Sequence, residues 1–600
     1  MDENGLRELI GRVKRGTLSR RGFVRRMAAV GFTAPMATQL LAISGVSAQT
    51  AEGGGVPPYP GTRRGGGGPL RVLYWQAPTL LNPHFAVGTT NQDASRVFHE
   101  PLAGWAADGT LHPILAAEIP SVENGGLAED GRSVTWKLKR GVKWHDGQDF
   151  SADDVVFNWE YGRNPATAGV TSGSYRGVNV VKLDDHTVRV EFDRPTPFWA
   201  DTFVGSRGML IPKHKFQDFV GANSRDAPTN LRPVGTGPYN FTSFTPGDTL
   251  RGELNPRYHA ENRPFFDTLE IKGGGDAASA ARAVLQTGDF DFAWSLRVED
   301  DLLRRLESAG RGTVSYLPTG GIEHIQLNRT DPNVEVNGER AHASTQHPAF
   351  RDPAVRQAIA LLVDRDSVQR FIYGRGGVAT GNFLNQPPRF ASPNTRAEFS
   401  IEKANEVLDA AGWVRGRDGI RAKDGVRLRF IFQTSVSAPR QRTQAIVKQA
   451  AMRAGIDIEL KSVVASVFFS ADVGNPDTYT KFFADIQMYN TTMPQADPQL
   501  FMNQFTSWEL STRENRWQGR NITRWHSDEY DALFRAAEGE LDPVRRAAMF
   551  IRMNDLVVGS NHIIPLMNQR LVNGHLNNLR PVLSGWENTL WLLRDWHRVS

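Results

Sequence analysis

The residue types that could do covalent or metal chemistry are few in this chain and poorly spaced for it. None of the 600 residues is a cysteine, which excludes disulfides, thiolate zinc sites, iron–sulfur clusters and a cysteine nucleophile. The 14 histidines are dispersed. Glu323 and His324 are merely adjacent, and His342 and His347 stand five apart in a polar stretch, so neither pair makes an H-E-x-x-H helix. There is no G-x-S-x-G elbow and no P-loop. The residues therefore predict a binding protein and not an enzyme, with no catalytic group, no cofactor and no metal. An exported hydrolase of peptide or glycan is the competing reading, with no motif to carry it.

Charge and its placement narrow the partners. The net charge of +5 comes from the first 48 residues, which hold eight Lys/Arg and three acids and leave 62 of each sign in the remainder. A neutral body does not predict nucleic-acid binding. Within that basic segment, Ser19-Arg20-Arg21-Gly22-Phe23-Val24-Arg25 precedes an uncharged stretch from Met27 to Ala48 that ends Val46-Ser47-Ala48. A basic region, an apolar region and a small-x-small end are the parts of a cleavable export signal. Arg20 and Arg21 resemble the address pair of the twin-arginine pathway, so 1–48 is read as a signal peptide and the protein as periplasmic. A retained membrane anchor is the alternative, weakened by Gly31, Thr33, Pro35 and Gly45 within the stretch. Residues 49–69 are rich in Gly and Pro and predict a flexible linker.

Along the body, apolar periodicity predicts strands at 71–75, 133–139, 179–183 and 187–192. Ser151 to Asp154 forms a capping box ahead of a helix carrying Val155, Val156 and Trp159. Asp352-Pro353 starts another helix, and 401–412 is a third, stopped by Gly412. A strand at 426–432, an amphipathic helix at 440–454 and a strand at 456–463 make a βαβ unit, which predicts an α/β domain with parallel strands. A chain of 600 residues exceeds one hydrophobic core, so two or more domains are expected.

Several motifs are more specific. Trp136-Lys137-Leu138-Lys139-Arg140-Gly141-Val142-Lys143-Trp144-His145-Asp146-Gly147, continuing through Phe150-Ser151-Ala152-Asp153-Asp154-Val155, closely resembles the signature of the family 5 extracellular solute-binding proteins. Gly235-Thr236-Gly237-Pro238-Tyr239, Phe266 to Ile271, Leu285 to Asp291, Phe350 to Ala358 and Leu408 to Trp413 follow in the family's order. The resemblance implies an α/β, two-lobed periplasmic-binding-protein fold with an inserted subdomain in the first lobe. By that analogy lobe 1 comprises 70–108, 236–323 and 568–600, the insert 109–235, and lobe 2 324–567, with crossings near 324–328 and 564–568. It further implies a monomer that captures a small-molecule or peptide ligand and delivers it to ABC permease subunits at the inner membrane. A receptor for chelated metal is a variant, because the family includes nickel binders.

The same resemblance places ligand contacts at strand ends and crossings: Trp75, Thr89 and Thr90 from lobe 1, Glu323 and His324 at the crossing, and Tyr489, Asn490, Thr491 and Met493 within the segment 485–497. In peptide-binding relatives a carboxylate stands three residues before an acidic-Pro pair and holds the peptide ammonium. Here the pair is Asp497-Pro498 and the position holds Pro494. Glu323 or Asp485 could substitute. Tyr489, Asn490 and Thr491 otherwise suit a polar, uncharged ligand. Trp136, Trp144 and Trp159 are expected in the core, and His145 in a turn.

Overall fold

The structure is a computed structural model that describes residues 3–14, 17–30, 32, 36–37, 40–41, 56, 59–60, 63–86, 88–470 and 474–599. The expected cleavage region around Ala48 and most of the linker's first half lie outside these residues. Ser19 caps the helix Arg20–Ala29, its Oγ accepting from Gly22 N at 3.0 Å, so Arg20 and Arg21 occupy the first turn. No helix among the described residues is long and apolar enough to cross a membrane.

The chain divides into two compact units, 49–318 with 571–600, and 319–570 with 1–48. Two long strands, Gly312–Leu327 and Ile563–Leu576, carry the chain from one unit to the other, at 318/319 and 570/571. These points fall a few residues before the expected first crossing and after the expected second. The Asn568 amide donates to Thr319 O and Gly321 O, both at 2.9 Å, and Thr319 Oγ1 donates to Gln569 O at 2.7 Å. Those bonds tie 319–321 and 568–569 into one body.

In the unit 49–318 with 571–600, the strand Pro69–Tyr74 is parallel to Phe292–Ala293 on one side and Thr268–Gly273 on the other. Thr249–Leu254 and Tyr239–Thr245 extend that sheet antiparallel. Both faces of the central strand are covered, which is usual for parallel sheets. Leu70, Val72, Leu269 and Ile271 enter one core, and Leu73, Ala293, Leu285 and Leu303 another. The stretch 109–235 adds a small antiparallel sheet in the order Ser133–Lys137, Thr187–Phe192, Val178–Asp184. The helix Ala152–Arg163 has the reciprocal cap read from the sequence, with Ser151 and Asp154 each bonding the other's backbone. Trp136 and Trp144 are fully buried and Trp159 nearly so.

In the unit 319–570 the strands run in the order Asp457–Val463, Arg429–Ser435, Ile486–Thr492, Gly312–Leu327, Ile563–Leu576. The first three are mutually parallel, with the helix Ala438–Arg453 as the crossover. The expected strand 426–432 is two pieces: Val426–Arg427 belongs to a separate hairpin, and the sheet strand begins at Arg429. Phe430, Phe432, Ile458, Ile486, Met488, Ile325 and Leu327 fill the core with helices Pro353–Leu361, Ile401–Ala410 and Ala438–Arg453.

Candidate functional site

In open α/β sheets ligands bind outside the carboxyl ends of the parallel strands, so those ends are where a site is sought in each unit. In the unit 319–570 these ends are Ser435, Val463 and Thr492. Glu323 lies beside them, its backbone paired with Asn490. Its side chain is fully buried and matched: Oε1 accepts from Arg440 Nε at 2.6 Å, and Oε2 accepts from Gln569 Nε2 at 2.8 Å. Arg440 also donates to Ser435 Oγ at 2.7 Å through Nη1. Burial would lower the Arg440 guanidinium, but the Glu323 charge raises it above its ordinary value. Burial, and then the charge of Glu323, raise the Tyr373 hydroxyl well above its ordinary range. Both carboxylate oxygens of Glu323 are thus met by side-chain donors, one of them a cation.

Alternation along the strand sends His324 to the other face. There it is fully buried between Phe383 and Tyr489, with ring centroids at 5.1 Å and 4.6 Å. Burial lowers its pKa to about 3, so the ring is neutral. Gln326 Nε2 lies 3.0 Å from His324 Nε2 and donates to the Tyr489 hydroxyl at 3.2 Å. Gln326 faces Gln487 across the strand pair, and Gln487 in turn pairs with Gln433, giving a buried glutamine row over three strands. Burial also raises the Tyr489 hydroxyl.

The predicted residues of this unit thus separate into two groups. Glu323 and Asn490 share one strand pair position, with Thr491 half-buried next to it. His324 and Tyr489 belong to an interior polar layer. Met493 is 2% exposed, and its N donates to Gly320 O at 3.1 Å. Within the segment 485–497, Ile486–Thr492 is a sheet strand. Asp485, a possible ammonium anchor by sequence, accepts from Ile431 N at 2.7 Å and His347 Nε2 at 3.0 Å, and so is committed to the fold. Burial pushes the Asp497 carboxyl up, but the two-pronged Arg546 guanidinium holds it below its ordinary value.

In the other unit, Trp75 follows the carboxyl end of Pro69–Tyr74. It lies 5.6 Å from Trp294 at 33°, and its Nε1 donates to Ser295 O at 3.2 Å. Trp294 stacks on Tyr74 at 5.2 Å. Among the described residues, Trp294 Nε1 and Asn573 Nδ2 are buried without a hydrogen-bond partner, while Asn573 Oδ1 accepts from Ser295 N at 3.0 Å. Thr89 and Thr90 form the first turn of the helix Thr89–Arg96 and are half-buried. Arg440, Gln569, Trp294 and Asn573 were not read from the sequence. The apolar run Phe292-Ala293-Trp294 was the one available signal, a short strand ending in an aromatic.

Two α/β units joined by two strands, with polar and aromatic groups gathered at strand ends, define a bilobal solute-binding protein. A model of the bacterial extracellular solute-binding proteins, family 5, matches residues 110–511, more than half of the chain, and the chain belongs to that family. It is 28% identical over 425 residues to the oligopeptide-binding protein AppA of Bacillus subtilis, covering 69% of this chain and 72% of that one. Among solved structures it resembles the ABC transporter substrate-binding protein CtaP from Listeria monocytogenes, with TM-score 0.71 and 20% identity, covering 89% of this chain and all of that one. It also resembles NikZ from Campylobacter jejuni, solved in complex with Ni(L-His), with TM-score 0.66 and 21% identity over 88% of this chain and 99% of that one.

Proposed function

We propose that this protein is the periplasmic receptor of an ABC importer, a monomer that captures a peptide-like or other small solute and delivers it to membrane permease subunits. In this reading it does no chemistry on its ligand. Family membership carries the proposal, and the relatives named for oligopeptide binding and for ABC transport support it. Arg20 and Arg21 at the start of the helix Arg20–Ala29 support export by the twin-arginine route. Ligand would shift an open–closed equilibrium by binding one state better.

Candidate contacts are Trp75, Thr89, Thr90, Glu323, Asn490 and Thr491, to which Arg440 and Gln569 are added. His324, Tyr489 and Met493 would act from behind, by fixing the strand pair. The test is a thermal-shift screen of the protein after unfolding and refolding to strip carried ligand. Peptides, glutathione, oligosaccharides and nickel with and without histidine form the panel. A saturable rise in melting temperature is expected with one class, because a ligand that binds only the folded state stabilises it by mass action. No shift with any class would count against solute capture.

A further inference from the structure

Three apolar side chains stand exposed at the carboxyl ends of the parallel strands of the unit 319–570. Val436 follows Arg429–Ser435 and is 53% exposed, and Val464 follows Asp457–Val463 and is 60% exposed. Their strands pair with Ser435 opposite Val463, and Val436 N donates to Val463 O at 2.7 Å, so the two valines sit at adjoining strand ends. Phe469 ends the short turn of helix that follows Val464 and is 44% exposed. Its ring is held at 90° to Phe468 and 5.5 Å from Tyr479, and the Arg440 guanidinium lies 5.9 Å from its centre. The apolar rim therefore adjoins the Glu323–Arg440 pair.

Among the described residues, the charged pair that the rim adjoins, Arg440 and Glu323, is already matched inside the chain. Arg440 is bonded to Glu323 and Ser435, and Glu323 to Arg440 and Gln569. A free ammonium or carboxylate brought here would lose water without gaining a partner, or would break a buried ion pair, and either is costly. An uncharged apolar group would instead gain by covering the valines and Phe469. Resting on the receptor reading above, we propose that this rim takes an uncharged, apolar group of the ligand. The ligand class is then a hydrophobic peptide-like solute whose segment at the rim is blocked or internal, not one held by a free terminus.

The experiment is isothermal titration of the refolded protein with hydrophobic peptides. Each is supplied free and as its N-acetyl, C-amide form, alongside maltotriose and Ni(L-His). The blocked forms should bind at least about tenfold tighter than the free forms. The double variant Val464→Ser, Phe469→Ser should lose about tenfold in affinity for them, with the melting temperature of the unliganded protein unchanged. Tighter binding of free peptides, of maltotriose or of Ni(L-His), or unchanged affinity in the variant, would overturn the proposal and leave the receptor reading standing. A concentration-dependent dimer dispersed by Phe469→Ser would assign the rim to self-association and likewise overturn it. No saturable binding by any probe would remove the receptor reading, and the proposal with it.

Discussion

Glu323 and Arg440, 117 residues apart in sequence, meet at 2.6 Å with the carboxylate buried and the arginine side chain 15% exposed. One comes from a crossing strand and the other from the first turn of a crossover helix, so the pair joins two elements at the strand ends. Such a pair adds little net stability but is expensive to halve. Arg440→Met should cost about 3–5 kcal/mol, because it leaves the carboxylate with Gln569 as its remaining donor. The double variant Glu323→Gln, Arg440→Met should recover most of that loss. Urea unfolding of the single and double variants checks this, and equal losses would show the pair to be uncoupled.

His324 gives a pH dependence. Burial depresses its pKa to about 3, while the unfolded residue titrates near the ordinary 6.5. Between these values the unfolded state binds a proton that the folded state does not, so stability present above pH 6.5 is lost as pH falls. His324→Phe should flatten the stability curve between about pH 6.5 and 4 by up to one proton's worth of slope. Denaturant midpoints at several pH values measure it, and an unchanged slope would contradict a buried neutral ring.

Gly235 should prove intolerant. A Cβ there would lie 1.8 Å from Phe98 O, against backbone and not a flexible side chain. Gly235→Ala is expected to destabilise by about 3 kcal/mol, in the range of overpacking and backbone displacement. Ser151→Ala, which removes one half of a helix cap, should cost about 1 kcal/mol. Thermal unfolding of the two variants ranks them, and the reverse order would refute the packing argument.

Trp75 and Trp294 should report ligand. Intrinsic fluorescence is expected to change saturably on addition of a ligand found by the thermal screen. Trp75→Phe should reduce that change and weaken binding severalfold. A full signal and unaltered affinity in the variant would remove Trp75 from the candidate site.

Much of the fold could be read from the residues because its signals are local. The Ser151 cap, the Asp352-Pro353 helix start and the alternation of Val134, Trp136 and Leu138 each depend on neighbours within a few positions. The site was less legible because its partners are distant. Nothing near Glu323 announces Arg440 or Gln569, and the division of labour between Glu323 and His324 follows from which face of the strand each occupies. Asp485 shows the converse. As sequence it is an available carboxylate, yet the backbone of Ile431 and the ring of His347 claim both its oxygens.

The last thirty residues complete a body begun near the start of the chain. Glu587 bonds Arg96 and the backbone of Trp105, Asp93 accepts from Thr589 N and Leu590 N, and Trp591 and Trp596 lie fully buried in the same core as Leu70 and Val72. This body therefore cannot close its core until the segment 579–596 has been synthesised. Until then Asp93 lacks the backbone donors of Thr589 and Leu590 and Arg96 lacks Glu587, whereas 319–570 has already been made. Folding of the unit built from 49–318 and 571–600 is thus completed only after the intervening 319–570 has been synthesised.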